Sequence, residues 1–485
     1  MLKRLFKESL VYGLSTYIQK FIGIFLLPLY TSLLTPEDYG ILDLLNTLVV
    51  INIYFIISGT DSALSYFYYR KEYFENRPIM ISTTLWIRMT FAGLAFITVG
   101  LLSKQFSLIL FGKDYTLFVI ITGSSLAFQA IYSFFSDLIR FELRPWMYTM
   151  VSVSNLLISI SLNIYFILIL KQGVWGALLA GVISNSLMTV VTITYVFKRY
   201  KFGFSKKWAT KILKYGTPLI GTALAVWILN TTDRYFLAHY QSVSNVGIYS
   251  VGAKLASLLG LVSGALQMAW APFALDLQYE FNAKKIYAKV FLIYFVINIL
   301  GVFFISMFSI DILKVFTQPG YYSAKAVVPF LCMSVVFWSG YFIVAIGIGI
   351  SKKAQHTIWI TLLAAGFNII LNYLLTPSIG ALGASFSIMC ANFLIFILTL
   401  NVSQSLYYIK YDYLKITLLA LPAAAIVGLS YYFNFNLPVR LAFSASYFIA
   451  STLFLWKSYK HSPEIKSLLV KIKNMKLKKE LDKTV

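Results

Sequence analysis

The chain has 485 residues, 59% of them hydrophobic and only 12% charged, with a mean hydropathy of +0.76. No water-soluble surface can be assembled from that inventory, so the protein is expected to live in a bilayer. Its formal charge of +23 comes from 41 Lys and Arg against 18 Asp and Glu.

Crossing ~30 Å of hydrocarbon takes about 20 apolar residues as a helix. Fourteen such stretches follow one another: 9–34, 40–67, 79–102, 115–136, 146–170, 173–197, 215–238, 246–275, 286–308, 324–350, 356–375, 380–400, 413–433 and 437–457. The opening "MLKRLFKE" and the apolar run after it look like a secretory leader but lack a small-residue cleavage site, so they are read as the start of span 1. A β-barrel would need strands alternating apolar and polar residues, and runs such as "FILTLNVSQSLYYI" do not alternate. The expected fold class is therefore all-α and integral to the membrane.

Spacing divides the spans further. "GVWGALLAGVISN" from Gly173 returns as "GALGASFSIMCAN" from Gly380, with Gly173, Gly176, Ala177 and Asn185 matching Gly380, Gly383, Ala384 and Asn392 at one offset of 207. The same offset relates Gly40 to Gly247, whereas Tyr12 and Gly13 precede Tyr215 and Gly216 by 203, as a short loop insertion would produce. Two six-helix repeats followed by two further helices are expected, a transporter-type architecture. The domains are an N-lobe at 1–200, a basic interlobe linker at 201–214, a C-lobe at 215–404, helices 13 and 14 at 405–460 and a basic amphipathic tail at 461–485.

Placing the N-terminus in the cytoplasm puts about three quarters of the 41 basic residues on the cytoplasmic side. Both termini are thus expected to be cytoplasmic, and the charge is topological, with no nucleic-acid partner implied. In the linker, Phe204, Trp208 and Ile212 oppose Lys207, Lys211 and Lys214; the tail sets Ile465, Leu468, Leu469, Ile472 and Met475 against lysines. Both read as surface helices suited to anionic membrane lipid.

Catalytic chemistry finds little to rest on. Cys332 and Cys390 fall inside spans, and His239, His356 and His461 are far apart, so neither set has metal-ligand spacing. No nucleotide-binding G-x-x-x-x-G-K-[ST] loop occurs, and no cofactor is implied. The repeats argue against an intramembrane polymerase, because a one-sided active site needs no duplicated lobe.

Ionisable groups within spans are costly and mark cavities or paths. Lys20 lies 11 residues into span 1, about 16 Å deep at 1.5 Å per residue, on a stripe of Gly13, Thr16, Tyr17 and Gly23. Lys254 in span 8 sits on a comparable stripe of Gly247, Ser250, Ser257 and Gly264. Arg88 interrupts span 3, Asp43 and Asp61 lie on span 2, and Asn230, Asp233 and Arg234 lie near the far end of span 7. Spans 1, 2, 7 and 8 are equivalent elements of the two repeats, so symmetry would gather them around one central cavity. Lys20, Arg88, Lys254 and Arg234 are the candidate cationic groups for an anionic solute such as a phosphate or diphosphate. Asp61, Asp233 and Asp43 are the candidate carboxylates for coupling to H+ or Na+.

The stretches "ESLVYGLSTYIQKFIGIFLLPLYTSLLTPEDYGILDLL" and "LKYGTPLIGTALAVWILNTTDRYFLAHYQSVSNVGIYSVGAKL", with the paired GxxGA helices, resemble the Wzx-type polysaccharide flippases. These belong to the MOP superfamily with the MATE drug exporters and the lipid II flippases. The resemblance implies two six-helix lobes facing a cavity lined by spans 1, 2, 7 and 8. It implies an undecaprenyl-diphosphate-linked oligosaccharide as substrate, carried to the outer leaflet of the bacterial cytoplasmic membrane by alternating access, with polysaccharide polymerase machinery as a partner. Lys20 and Lys254 fall where such flippases carry basic cavity residues, and Asp233 with Arg234 matches their "D-R" pair. Spans 13 and 14 would supply a groove for the lipid tail. A cation-coupled drug exporter of the same fold is the nearest alternative, disfavoured by the deep lysines; a membrane polymerase on the same carrier is the other.

Overall fold

The computed structural model describes residues 26–200, 203–353 and 355–459. Most of span 1, with Lys20, and the basic tail lie outside the described residues. Within them, no strand is present. Eleven helices are long and apolar enough to cross a membrane, or twelve when a pair bent by 45° is taken as one. The fold is all-α, and a total of fourteen spans is compatible with it.

The first group of helices comprises α1 (Leu27–Leu33), α2 (Pro36–Ile57), α3 (Thr60–Tyr68), α4 (Arg77–Leu101), α5 (Ser103–Phe111), α6 (Thr116–Phe141), α7 (Pro145–Asn163) and α8 (Gly173–Arg199). The short α9 (Lys206–Gly216) leads to the second group: α10 (Leu219–Tyr240), α11 (Val243–Asp276), α12 (Ala283–Met307), α13 (Ser309–Phe316), α14 (Val328–Val344), α15 (Ile346–Ile350) and α16 (Gln355–Leu406). Two more helices follow, α17 (Tyr413–Tyr432) and α18 (Leu437–Tyr459). In the first group α6 packs on α4 and α8; in the second, α16 packs on α10 and α14. Between the groups α2 lies along α11.

Local chemistry repeats with the sequence. Thr35 caps α2, its hydroxyl accepting the Asp38 N–H at 3.2 Å while Asp38 accepts the Thr35 N–H at 3.0 Å. Ser242, 207 residues on, caps α11 by accepting the Asn245 N–H at 3.2 Å. Pro36 at the first turn and the acidic Glu37 and Asp38 add what a helix N-terminus favours. Gly173 and Gly380, the repeat-related pair, both have φ +55, a left-handed conformation that costs glycine little. Gly380 breaks the 52 residues of α16 into two helices, as the separate spans 11 and 12 require. Asn185 donates to Ser125 Oγ at 3.1 Å and Asn392 to Ser334 Oγ at 2.7 Å, so each copy joins its last helix to its fourth with the same pair of residue types.

Two elements depart from the sequence reading. Span 2 is broken: Ser58 and Gly59 have φ 46 and φ 65, and α3 restarts beyond them. The linker helix α9 does not present its apolar face to headgroups. Trp208, Ala209 and Ile212 are buried against Ala63, Leu64, Tyr68 and Met80 of the first group, while Phe204 stays exposed. Lys207 and Lys214 point outward, and the Lys211 ammonium sits about 5 Å over the Trp208 and Tyr73 rings (5.0 and 5.1 Å). The pattern of an amphipathic helix is correct, but a protein groove satisfies it as well as a lipid surface does.

The last two helices are anchored by groups no motif announced. Arg440 donates from Nη2 to Asp311 Oδ1 at 3.0 Å and from Nη1 to the Met307 carbonyl at 3.1 Å, and Tyr431 donates to the Lys325 carbonyl at 2.8 Å.

A candidate functional site between the two repeats

The repeat-related glycines meet. A Cβ built on Gly40 would lie 2.0 Å from the Val243 carbonyl oxygen, and one on Gly247 would lie 1.9 Å from the Pro36 carbonyl oxygen. Only glycine permits that crossing of α2 and α11. Pro36 and Val243 are themselves 207 apart, so an approximate two-fold axis runs through this contact.

One turn further along, the contact becomes ionic. Arg234 on α10 places Nε 2.6 Å from Asp43 Oδ2 on α2 and Nη1 3.0 Å from Asp233 Oδ1. Ser250 of α11 donates to Asp43 Oδ2 at 2.6 Å, another pair separated by 207. Tyr249 donates to Asp233 Oδ2, and its ring lies 5.6 Å from the Arg234 guanidinium. Thr47 of α2 donates to Tyr235 Oη at 2.8 Å, and the Trp227 indole donates to the Thr47 carbonyl at 3.2 Å. Asp43, Asp233 and Arg234 therefore form one paired cluster across the repeat boundary: one guanidinium, two carboxylates and no cation left over.

Lys254 follows Ser250 by one helical turn on the same face of α11, about 6 Å along the axis. It is exposed, and it has no ion-pair or hydrogen-bond partner for its ammonium among the described residues. Asn230 on α10 and Ser257 on α11 are also exposed. The stripe Gly247, Ser250, Lys254 and Ser257 thus passes from backbone contact, through hydrogen bonding, to open space.

The other candidates lie elsewhere. Arg88 is fully buried within the first group, donating to Asp137 Oδ2 at 2.9 Å, Thr60 Oγ1 at 3.2 Å and Ser133 Oγ at 3.3 Å. Asp137 also meets Arg140. Arg88 therefore offers no free charge to a solute in this conformation. Asp61, half-buried in the first turn of α3, has no partner among the described residues. The sequence reading missed Asp137, which falls one residue past the expected end of span 4, and Tyr249, which carries no charge to flag it.

The geometry is that of two pseudo-symmetric helical halves in backbone contact toward one end, with exposed polar side chains further along the same faces. Residues 5–278 match the family described as polysaccharide biosynthesis protein, and the chain belongs to that family. It is 23% identical over 282 residues to the Lsg locus putative protein 1 of Haemophilus influenzae, covering 56% of this chain and 66% of that one. It is 24% identical over 284 residues to an uncharacterized membrane protein of the same organism, covering 56% and 65%. The matched region thus spans just under two thirds of each relative's length. Among solved structures, the lipid II flippase MurJ in an inward closed conformation superposes with a TM-score of 0.74 at 13% identity, over 93% of this chain and 99% of that one. An inward-facing multidrug resistance MATE transporter of the MOP superfamily gives 0.64 at 17% identity, over 82% and 94%. The fold is the one these flippases and transporters share, and the resemblance to Wzx-type flippases read from the sequence holds; the structural neighbours are transporters rather than enzymes.

Proposed function

We propose that the protein moves an undecaprenyl-diphosphate-linked oligosaccharide from the cytoplasmic to the outer leaflet of a bacterial cytoplasmic membrane by alternating access. The observation that carries this is the cluster at the pseudo-two-fold axis. Asp43 and Arg234 belong to different repeats, so their bond holds only while the lobes are closed at that end, and rocking one lobe against the other must break it. With the basic residues on the cytoplasmic side, both termini are cytoplasmic and the closed end faces outward. Asp43, Asp233, Tyr249 and Arg234 then act as the outer gate, and with the one guanidinium already held by two carboxylates the diphosphate is left to other cations.

Lys254, one turn inside the gate and unpaired among the described residues, is the group we assign to the diphosphate, with Lys20 of span 1 as its counterpart. A lysine in an aqueous cleft with low-dielectric walls attracts a dianion without the cost of breaking an existing ion pair. The sugar travels through the polar space between the lobes while the polyprenyl chain stays in lipid. Asp61, the candidate carboxylate without a partner among the described residues, is where H+ or Na+ coupling would act.

The test is leaflet transfer of a fluorescent undecaprenyl-diphosphate oligosaccharide in proteoliposomes, comparing wild type with Lys20→Ala and Lys254→Ala. Transfer by wild type and its loss in both variants, at normal abundance, supports the assignment. Wild-type transfer in both variants removes the cationic site, and no transfer by folded wild type moves the reading to a drug exporter.

A further inference from the structure

A cleft of about 500 Å³ is lined by Asp114, Tyr115, Thr116, Leu117, Phe118 and Trp175. It lies at the turn between α5 and α6, against the start of α8. An ion pair between exposed side chains, Lys113 Nζ to Glu37 Oε1 at 2.7 Å, links the turn to the first turn of α2.

The turn is rigidly built. Ser107 is fully buried, accepting the Tyr115 N–H at 2.5 Å and donating to the Lys113 carbonyl at 2.8 Å. Gly112, at φ +64, provides the left-handed residue that ends α5. Asp114 Oδ1 accepts both the N–H and the hydroxyl of Thr116, at 3.1 and 2.5 Å. The rings form a continuous wall: Tyr115 stacks on Phe118 with centroids 5.4 Å apart and planes 5° apart, and Phe118 lies 6.1 Å from Trp175.

Its unspent chemistry is specific. Asp114 Oδ2, the Tyr115 hydroxyl and the Trp175 indole N–H have no hydrogen-bond partner among the described residues. The nearest cation in the turn, Lys113, is engaged by Glu37. Flat apolar rings edged by one carboxylate acceptor, one indole donor and one phenol match a ring with an apolar C–H face and a rim of hydroxyls. Asp114 and the exposed Lys104, whose charge acts on it, leave the cleft without net charge, which suits an uncharged ring better than a diphosphate.

We propose that this cleft binds a neutral sugar ring of the translocated chain, stacked on Trp175 and Phe118 with its hydroxyls on Asp114. The assignment of the sugar's origin rests on the flippase reading; the chemistry of the cleft does not. Placed at the closed end, beside helix α2, the site would receive sugar units as the gate opens outward.

The experiment is saturation-transfer NMR on the full chain in nanodiscs, with a panel of free methyl glycosides and N-acetylglucosamine and no lipid carrier. At least one sugar is expected to receive saturation on its C–H face. Trp175→Ala should weaken binding about tenfold, the upper range for one aromatic contact, while Trp175→Phe retains most of it and Asp114→Asn weakens it severalfold. No transfer to any sugar, or transfer unchanged in Trp175→Ala, overturns the proposal, as does displacement of the sugar by short-chain phosphatidylglycerol acting at the same residues. Leaflet transfer of the lipid-linked oligosaccharide is measured on the same preparation. Leaflet transfer without sugar contact sinks the cleft and leaves the flippase standing; sugar contact without leaflet transfer does the reverse.

Discussion

Asp43→Asn removes the charge at the centre of the gate with little change of shape. Asp43 and Arg234 side chains are 19% and 16% exposed, so solvent screens their 2.6 Å contact only partly. Arg234 keeps Asp233 at 3.0 Å and the Asn230 carbonyl at 2.8 Å, so the variant does not strand a buried guanidinium, and the larger penalty for an orphaned ion does not apply. What is lost is a charge-assisted hydrogen bond between lobes, about 2 kcal/mol. If that bond exists only with the lobes closed, the open fraction at this end rises roughly thirtyfold. Spin labels at Leu33, the last residue of α1, and at Gln241, in the turn preceding α11, should show the population of long distances growing accordingly in proteoliposomes. Exchanging the charges, Asp43→Arg with Arg234→Asp, should recover part of the short-distance population, subject to Asp233 beside the new carboxylate. A distance distribution in Asp43→Asn that matches wild type would refute the assignment of this cluster as a gate.

Gly40→Val or Gly247→Val places a side chain where a carbonyl oxygen lies within 2.0 Å, so neither variant should close; a cysteine at Ser250 would then react faster with a membrane-impermeant maleimide. Arg88→Met leaves Asp137 buried with only Arg140 beside it and should cost about 3 kcal/mol or more, read as a fall in melting temperature in detergent, with Arg88→Met/Asp137→Leu recovering most of the loss. The Thr116 hydroxyl, then its N–H, hold the Asp114 carboxyl below the usual range. Its folded pKa being the lower, the contribution of this cap is complete above the unfolded value of about 4 and disappears as pH falls through the depressed one. Thr116→Val should raise the Asp114 pKa, read by NMR titration of the carboxyl carbon.

The offset of 207 carried more structure than the composition did. It located Gly40 and Gly247, and the partners of both, Val243 and Pro36, follow the same arithmetic. Two-fold symmetry makes equivalent residues meet on its axis, which is why a one-dimensional repeat revealed a three-dimensional contact. Charge placement identified Asp43, Asp233 and Arg234 as a group but not as mutual partners, since that depends on how far α10 and α2 approach. For Arg88 the same rule succeeded in flagging cost and missed the remedy: α6 runs on through Phe141, bringing Asp137 into reach. Linker helix α9 shows the limit of amphipathicity, because Trp208 and Ile212 announce an apolar neighbour without saying whether it is lipid or protein.

The placement of α9 also sets how many ways the two lobes can move. With its apolar side buried in the first group, and Gly216 pressed against Gly59 closely enough that a Cβ would clash with the Ser58 and Gly59 backbone, the covalent connection belongs to the N-lobe up to its last residue. What remains between the lobes is Thr217 and Pro218, followed by α10 at 45°. A joint two residues long cannot stretch, so it permits turning and forbids separation. The lobes are therefore joined as by a pivot rather than a cord, and lengthening that joint with two glycines would free sliding motions that the pivot forbids.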